Sequence, residues 1–283
     1  MKLPFKPNFT NKVVVITGGA GVLGSDFARA IAECGAKVAI LDLFEDKAKQ
    51  LAEEITKKGF KAIGVKANVL DKESLNQAHQ EVLNKFGKCD ILINGAGGNN
   101  PKATTSDEFF DRPKYQTEGH KSFFDLDLEG FNFVFGLNFT GTLLPTQIFA
   151  SDMIDRPGSV ILNISSMNAF TPLTKIPAYS AAKAAISNFT QWLAVYFAKS
   201  NIRVNAIAPG FFSTQQNAAL LFNPDGTPTP RTGKILNNTP MGRFGEADEL
   251  LGTLFWLLDN DSSGFVTGVV VPVDGGFSAY SGV

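Results

Sequence analysis

Hydrophobic and polar positions follow two alternating rhythms along this chain. Short runs dense in branched apolar residues lie at 13–17, 37–42, 61–66, 89–94, 159–165, 202–208 and 269–273. They are too short for long helices and rich enough in Val and Ile to read as strands buried in a parallel sheet. Between them, residues 23–34, 44–58, 72–86, 178–198 and 246–259 place their apolar positions at helical spacing. This alternation predicts an α/β fold of Rossmann type, a doubly wound parallel sheet of about seven strands with helices on both faces. No internal repeat, low-complexity tract or linker interrupts it, so a single domain is expected over residues 1–283.

Composition narrows the class. A chain of 283 residues can bury a large core, and 44% hydrophobic with 19% charged residues suits a globular protein. A net charge of −1 without a basic tract argues against a nucleic-acid partner. No apolar run is read as reaching bilayer length, and residues 1–12 lack the apolar centre of a signal peptide, so no membrane association and a cytoplasmic location are expected. Cys34 and Cys89 fall in element-like segments and read as reduced core residues. His79 and His120 form no ligand set with a nearby Cys or His, so no metal is assigned. The connection 98–130 mixes charges with Phe109, Phe110, Phe123 and Phe124, and is expected to be an ordered lid or an oligomer contact.

Candidate chemistry gathers after the strand ends, where ligands bind in open α/β sheets. The first strand runs into Thr17-Gly18-Gly19-Ala20-Gly21-Val22-Leu23-Gly24 and then into a helix. Such a turn lets backbone approach a diphosphate while the helix N-terminus supplies N–H donors, though a Gly-rich turn alone also serves a tight reversal. Asp42 ends the second strand. A carboxylate there can accept both ribose hydroxyls of an adenosine and would repel a 2′-phosphate, which favours NAD over NADP; the plainer alternative is a solvated loop carboxylate. Asn68-Val69 follows the third strand and Asn94-Gly95-Ala96-Gly97 the fourth, with small residues that suit a flat ligand or a turn. Ser166 follows the fifth, and Tyr179 and Lys183 are i,i+4 neighbours on the next helix. An ammonium beside a phenol favours the phenolate, so hydroxyl, phenol and lysine form a proton-transfer set suited to an alcohol and its carbonyl. Tyr-x-x-x-Lys alone also arises by chance.

In order and spacing, the glycine turn, Asp42, Asn94-Gly-Ala-Gly, Asn138, Ser166, Tyr179/Lys183 and Pro209-Gly210 resemble the classical short-chain dehydrogenase/reductase family over essentially the whole chain. The resemblance implies that Tyr179 is the general acid/base, that Ser166 holds the substrate oxygen, and that Asn138 holds a water on the proton path. Lys183 would lower the pKa of Tyr179 and, with it, bind the nicotinamide ribose. NAD would lie along Gly18, Gly21, Val22, Leu23, Gly24, Asp42, Asn68, Val69, Asn94, Gly95 and Ala96, with Pro209, Gly210, Phe212 and Thr214 receiving the nicotinamide amide. Two departures stand out: Val22 occupies the family's middle glycine position, and Asn68 replaces its usual Asp.

The segments 97–105, 165–170, 209–212 and 274–282 look like one branch of that family, the D-mannonate oxidoreductases or fructuronate reductases of hexuronate breakdown. That likeness implies NAD-linked interconversion of D-mannonate and D-fructuronate. A polyhydroxylated carboxylate needs cations and amide or hydroxyl partners. Asn99, Asn100, Lys102, Asn168, Gln216 and Arg243 are the candidates beside Ser166 and Tyr179, with 211–245 as a substrate loop and Lys102 and Arg243 as the cations. Another NAD-linked sugar-acid or polyol dehydrogenase, such as one acting on gluconate, is the alternative; a non-catalytic NAD-binding protein is a third. The family resemblance also implies a homotetramer, and the apolar, aromatic tail 277–283 is expected to pack against another subunit.

Overall fold

In the computed structural model, residues 5–213 and 221–282 are described. Seven parallel strands form one sheet in the order β3-β2-β1-β4-β5-β6-β7: β1 Val13–Thr17, β2 Lys37–Asp42, β3 Lys61–Lys66, β4 Ile91–Asn94, β5 Ser159–Ile164, β6 Ile202–Pro209 and β7 Val270–Val273. Reversal of strand order beside β1 makes the sheet doubly wound, with a crevice at the strands' carboxyl ends.

The apolar runs form strands because both faces are covered. In β1, Val14 and Ile16 join the core on one face and Val13 and Val15 the core on the other, as alternating side-chain directions require. The first core is closed by α1 (Val22–Glu33), α2 (Glu45–Lys57) and α8 (Leu251–Leu258), through Phe27, Ile31, Leu51, Ile55, Leu254 and Phe255. The second is closed by α3 (Lys72–Phe86), α5 (Gly141–Met153) and α6 (Pro177–Phe197), through Leu75, Val82, Phe149, Met153 and Leu193. Local chemistry sets the helix ends: the Asp71 carboxylate accepts the Glu73 and Ser74 N–H groups to start α3, and Pro177 occupies the first turn of α6.

Several features depart from the sequence expectation. The connection 98–130 ends early, because α4 (Leu128–Phe135) already begins inside it; short 3₁₀ turns at Pro101–Ala103 and Phe123–Asp125 order the rest. A π-helical turn, Gly136–Thr140, joins α4 to α5, so that Leu128–Met153 is one continuous run. That run is long and apolar enough to cross a bilayer, contrary to expectation, but half of its most apolar stretch is buried inside the protein. A further helix, α7 (Pro230–Asn237), lies within the expected substrate loop, and the expected helix 246–259 divides into a 3₁₀ turn, Ala247–Leu250, and α8; a short α9 (Asn260–Ser263) follows.

Candidate active site

Strand register brings the first group of residues together. Thr17 of β1 pairs in register with Asn94 of β4, and Asn94 with Asn163 of β5. The Gly95 N–H reaches the Thr17 carbonyl at 3.1 Å, which lays Gly95 and Ala96 beside the turn Gly18–Gly24. From β2, the Asp42 carboxylate accepts the Ala20 N–H at 3.1 Å and the Phe44 N–H at 3.0 Å, tying the strand end to the same turn. Gly21 is the N-cap of α1 in extended conformation, and Val22 is the first helical residue, which is how the displaced glycine is accommodated. No side chain caps α1 and no acidic residue stands in its first turn. Its first N–H groups are therefore left for an external acceptor, and a diphosphate fits that donor set.

The second group lies after β5 and on α6. Ser165 is turned inward: its hydroxyl lies 2.7 Å from that of Ser187 and 3.1 Å from the Lys183 carbonyl. Ser166 faces the other way. Its oxygen accepts the Asn168 N–H at 3.2 Å, and its hydroxyl stands near enough to the Tyr179 phenol to lower that group's pKa. One turn along α6, the Lys183 ammonium donates to the Ile164 carbonyl at 2.8 Å and lies 5.6 Å from the Tyr179 ring centre. Lys183 is 4% exposed, and burial pushes its pKa down to about 8. Burial pushes the Tyr179 phenol upward, opposed by the Ser166 hydroxyl. Each group is thus biased towards its neutral form, as burial without a carboxylate partner among the described residues requires.

Asn138 completes the set from the π-helical turn, a local distortion that recurs at functional sites. Its amide nitrogen donates to the Gly98 carbonyl at 2.7 Å and the Val134 carbonyl at 2.8 Å, while its amide oxygen accepts the Gly98 N–H at 3.3 Å. Gly97 threads between these groups: a Cβ there would stand 2.7 Å from the Asn138 amide oxygen and 3.2 Å from the Lys183 ammonium. Sequence reasoning named Asn138 but not the π turn that presents it, since interleaved glycine and aromatic residues hide the helix.

Several expected site residues point elsewhere. The Asn94 amide faces the interior, donating to the Thr146 hydroxyl and the Asn163 amide oxygen, both at 2.9 Å. Only its backbone can border a cofactor. Val69 is buried in the core and the Phe212 ring packs on Gly245, so they too can offer only main chain. The Asn68 amide oxygen is taken by the Leu70 N–H at 3.0 Å, which leaves its NH₂ as the free end.

Both candidate cations are also engaged. Lys102 is 60% exposed at its side chain, with Asp127 and Glu129 carboxylates at 3.7 and 3.9 Å. The Arg243 guanidinium grips Glu249 through two bonds of 2.7 and 2.6 Å, closing the turn before α8. In this arrangement each candidate cation faces carboxylates of its own chain. Asn100 caps the turn Pro101–Ala103 by accepting the Lys102 N–H at 2.8 Å, and Asn99 donates to Thr104 at 3.2 Å. Asn168 is the exception, buried beside Ser166 with its side-chain amide unclaimed by any described residue. Thr214 and Gln216 lie outside the described residues.

No group of three or more His, Cys, Asp or Glu able to hold a metal occurs among the described residues. A groove of about 960 Å³ between α2 and α3, over edge strand β3, contains none of the candidate site residues.

Comparison with known proteins bears on the family and the fold. The short chain dehydrogenase family profile matches residues 12–223. A crystal structure from Haemophilus influenza with bound NAD, provisionally named a D-mannonate oxidoreductase, superposes with a TM-score of 0.95 at 60% identity over 98% of each chain. An oxidoreductase of Bacillus subtilis named UxuB and described as uncharacterized is 53% identical over 99% of this chain and 100% of its own length. A gluconate 5-dehydrogenase from Burkholderia cenocepacia, in complex with NADP and tartrate, superposes with a TM-score of 0.81 at 28% identity over 96% of this chain and 97% of the other.

Proposed function

This chain belongs to the short chain dehydrogenase family, and from that premise we propose that it is an NAD-dependent oxidoreductase interconverting D-mannonate and D-fructuronate. The observation that carries the reading is the grouping of Ser166, Tyr179 and Lys183 at the carboxyl ends of the central strands, beside the uncapped start of α1. The uncapped turn would hold the cofactor diphosphate, Asp42 the adenosine ribose, and Lys183 with Tyr179 the nicotinamide ribose. NAD supplies the hydride acceptor when bound. The 60% identical NAD-bound structure supports both the cofactor and, through its provisional name, the substrate pair.

In the oxidative direction the Tyr179 phenolate takes the proton of the substrate hydroxyl, while the Ser166 hydroxyl donates to the same oxygen. In reduction the phenol returns the proton to the keto oxygen. Lys183, anchored on Ile164, stabilises the phenolate by its charge, and positioning with electrostatic support supplies most of the acceleration. Because Lys102 and Arg243 are paired elsewhere, the substrate's polar groups fall to neutral donors, with Asn168 foremost.

The chain also assembles as a homotetramer in this reading. On α6, Phe189, Trp192 and Tyr196 stack in a ladder with ring centres 6.2 and 4.9 Å apart. Trp192, Val195 and Tyr196 are all exposed on that helix, an apolar strip of the kind that subunits cover.

A panel of hexuronates and aldonates assayed with NAD(H) and NADP(H) tests the proposal. The expected result is highest kcat/KM for fructuronate with NADH, and loss of turnover in Tyr179→Phe with NADH affinity retained. If a neutral ketose is reduced as well as fructuronate, acid recognition fails and a polyol dehydrogenase takes its place.

A further inference from the structure

The last residues of the chain do not trail away from the sheet. After β7, the Asp274 carboxylate accepts the Gly276 N–H at 2.9 Å and the Ser278 N–H at 2.8 Å, folding Phe277–Ala279 into a short 3₁₀ turn. Gly275 and Gly276, at φ 64° and 89°, make the reversal in a left-handed conformation that costs glycine little. The turn is thereby laid across the segments that follow two other strands. The Phe277 ring meets Phe211 edge to face with centres 5.4 Å apart, directly after Pro209 and Gly210. The Thr171 hydroxyl reaches the Ser278 carbonyl at 3.5 Å, and the turn packs on Met167–Ala169, directly after Ser166. Below it, the Gly275 carbonyl accepts the Met241 N–H at 3.1 Å, and Gly276 packs against Pro240.

We infer that this C-terminal turn is a wall of the substrate pocket and that Phe277 is a specificity-determining residue, with Asp274 the positioning residue that holds it. The argument is convergence: one turn touches the segments following Ser166 and Gly210, and the far end of the loop 211–245. Phe277 is half-buried, short of full enclosure by its own chain. Its place beside the Ser166 segment suits it to the C–H face of a substrate carbon chain. The inference deepens the proposed oxidoreductase reading and rests on it for the identity of the pocket.

The test uses the full-length protein and whichever substrate of the panel the parent turns over best, so that a wrong substrate assignment is seen first and separately. Phe277→Ala, Phe277→Leu and Asp274→Asn are compared for kcat, KM, NADH affinity by fluorescence and Tm. The ratio of kcat/KM between that substrate and a shorter hydroxy or keto acid is taken for each. Expected for Phe277→Ala are a KM raised about tenfold, a ratio shifted towards the shorter acid, and NADH affinity within about twofold of the parent. Phe277→Leu should recover most of the KM by restoring apolar bulk. Asp274→Asn keeps one acceptor of two and should move KM in the same direction by a smaller factor. An unchanged ratio in both Phe277→Ala and Asp274→Asn overturns the inference. So does a fall in Tm and NADH affinity that accounts for the whole kinetic loss.

Discussion

At the scale of single residues, Lys183 is the candidate site's most heavily desolvated cation. Its ammonium is buried against a carbonyl with no carboxylate partner among the described residues, and its pKa falls from an ordinary 10.5 to about 8. Between those two values the unfolded chain holds the proton and the folded one does not, so stability rises with pH across that window and loses this contribution as pH falls back through 8. Lys183→Met removes the titration. The parent minus variant unfolding free energy should therefore climb by about 2–3 kcal/mol between pH 7.5 and 10.5, measured by urea titration of the two proteins. A difference that stays flat with pH would show that burial does not hold the lysine in this state. Lys102 and Arg243 make the opposite point. Each is a plausible carboxylate receptor by position, and in space each has already found its own acids.

At the scale of elements, the central strands and α5 are joined by polar groups rather than by apolar packing alone. Asn94 of β4 donates to Asn163 of β5 and to Thr146 of α5; Asn163 donates to Thr190 of α6; Thr142 of α5 donates to the Asn138 carbonyl. All six side chains are buried. Such a ladder fixes how the π turn, and so Asn138, stands over the strand ends, because a buried donor cannot slide away from its acceptor without loss. Replacing Asn94 by Ala leaves the Thr146 oxygen and the Asn163 amide oxygen without that donor. It should cost about 2–4 kcal/mol of unfolding free energy, clearly more than Thr190→Val, as read from urea midpoints of the two variants.

At the scale of the whole molecule, the exposed aromatic ladder of α6 motivates the tetramer. Tyr196→Glu places a charge at the end of that ladder, and burying an unpaired carboxylate is costly. Light scattering at micromolar concentration should show a smaller particle than the parent, with unchanged circular dichroism. A parent that is already monomeric removes the ladder from the account. The tail 277–283 is expected to pack against another subunit; within its own chain Phe277 already meets Phe211, and the Ser278 carbonyl accepts the Thr171 hydroxyl.

The amino-acid sequence by itself determined the seven strands and their alternation with helices. Val- and Ile-rich runs such as 13–17 and 202–208 have only one way to hide both faces, and that preference is local. It also determined the nearness of Tyr179 and Lys183, the candidate proton-transfer pair, because they are one helical turn apart wherever the helix goes. Tertiary structure alone decided which way each side chain near the strand ends faces. Asn94 and Asn163 look like surface polar residues in sequence and are buried, because their partners lie 52 and 27 positions away. The helix Leu128–Met153 escaped notice because it is apolar on most sides, with Gly136, Gly141 and Pro145 inside, and amphipathic spacing has nothing to register there. The engagement of Lys102, Arg243 and the C-terminal turn is likewise a matter of what the fold brings within reach of each charge and ring, which chain order does not encode.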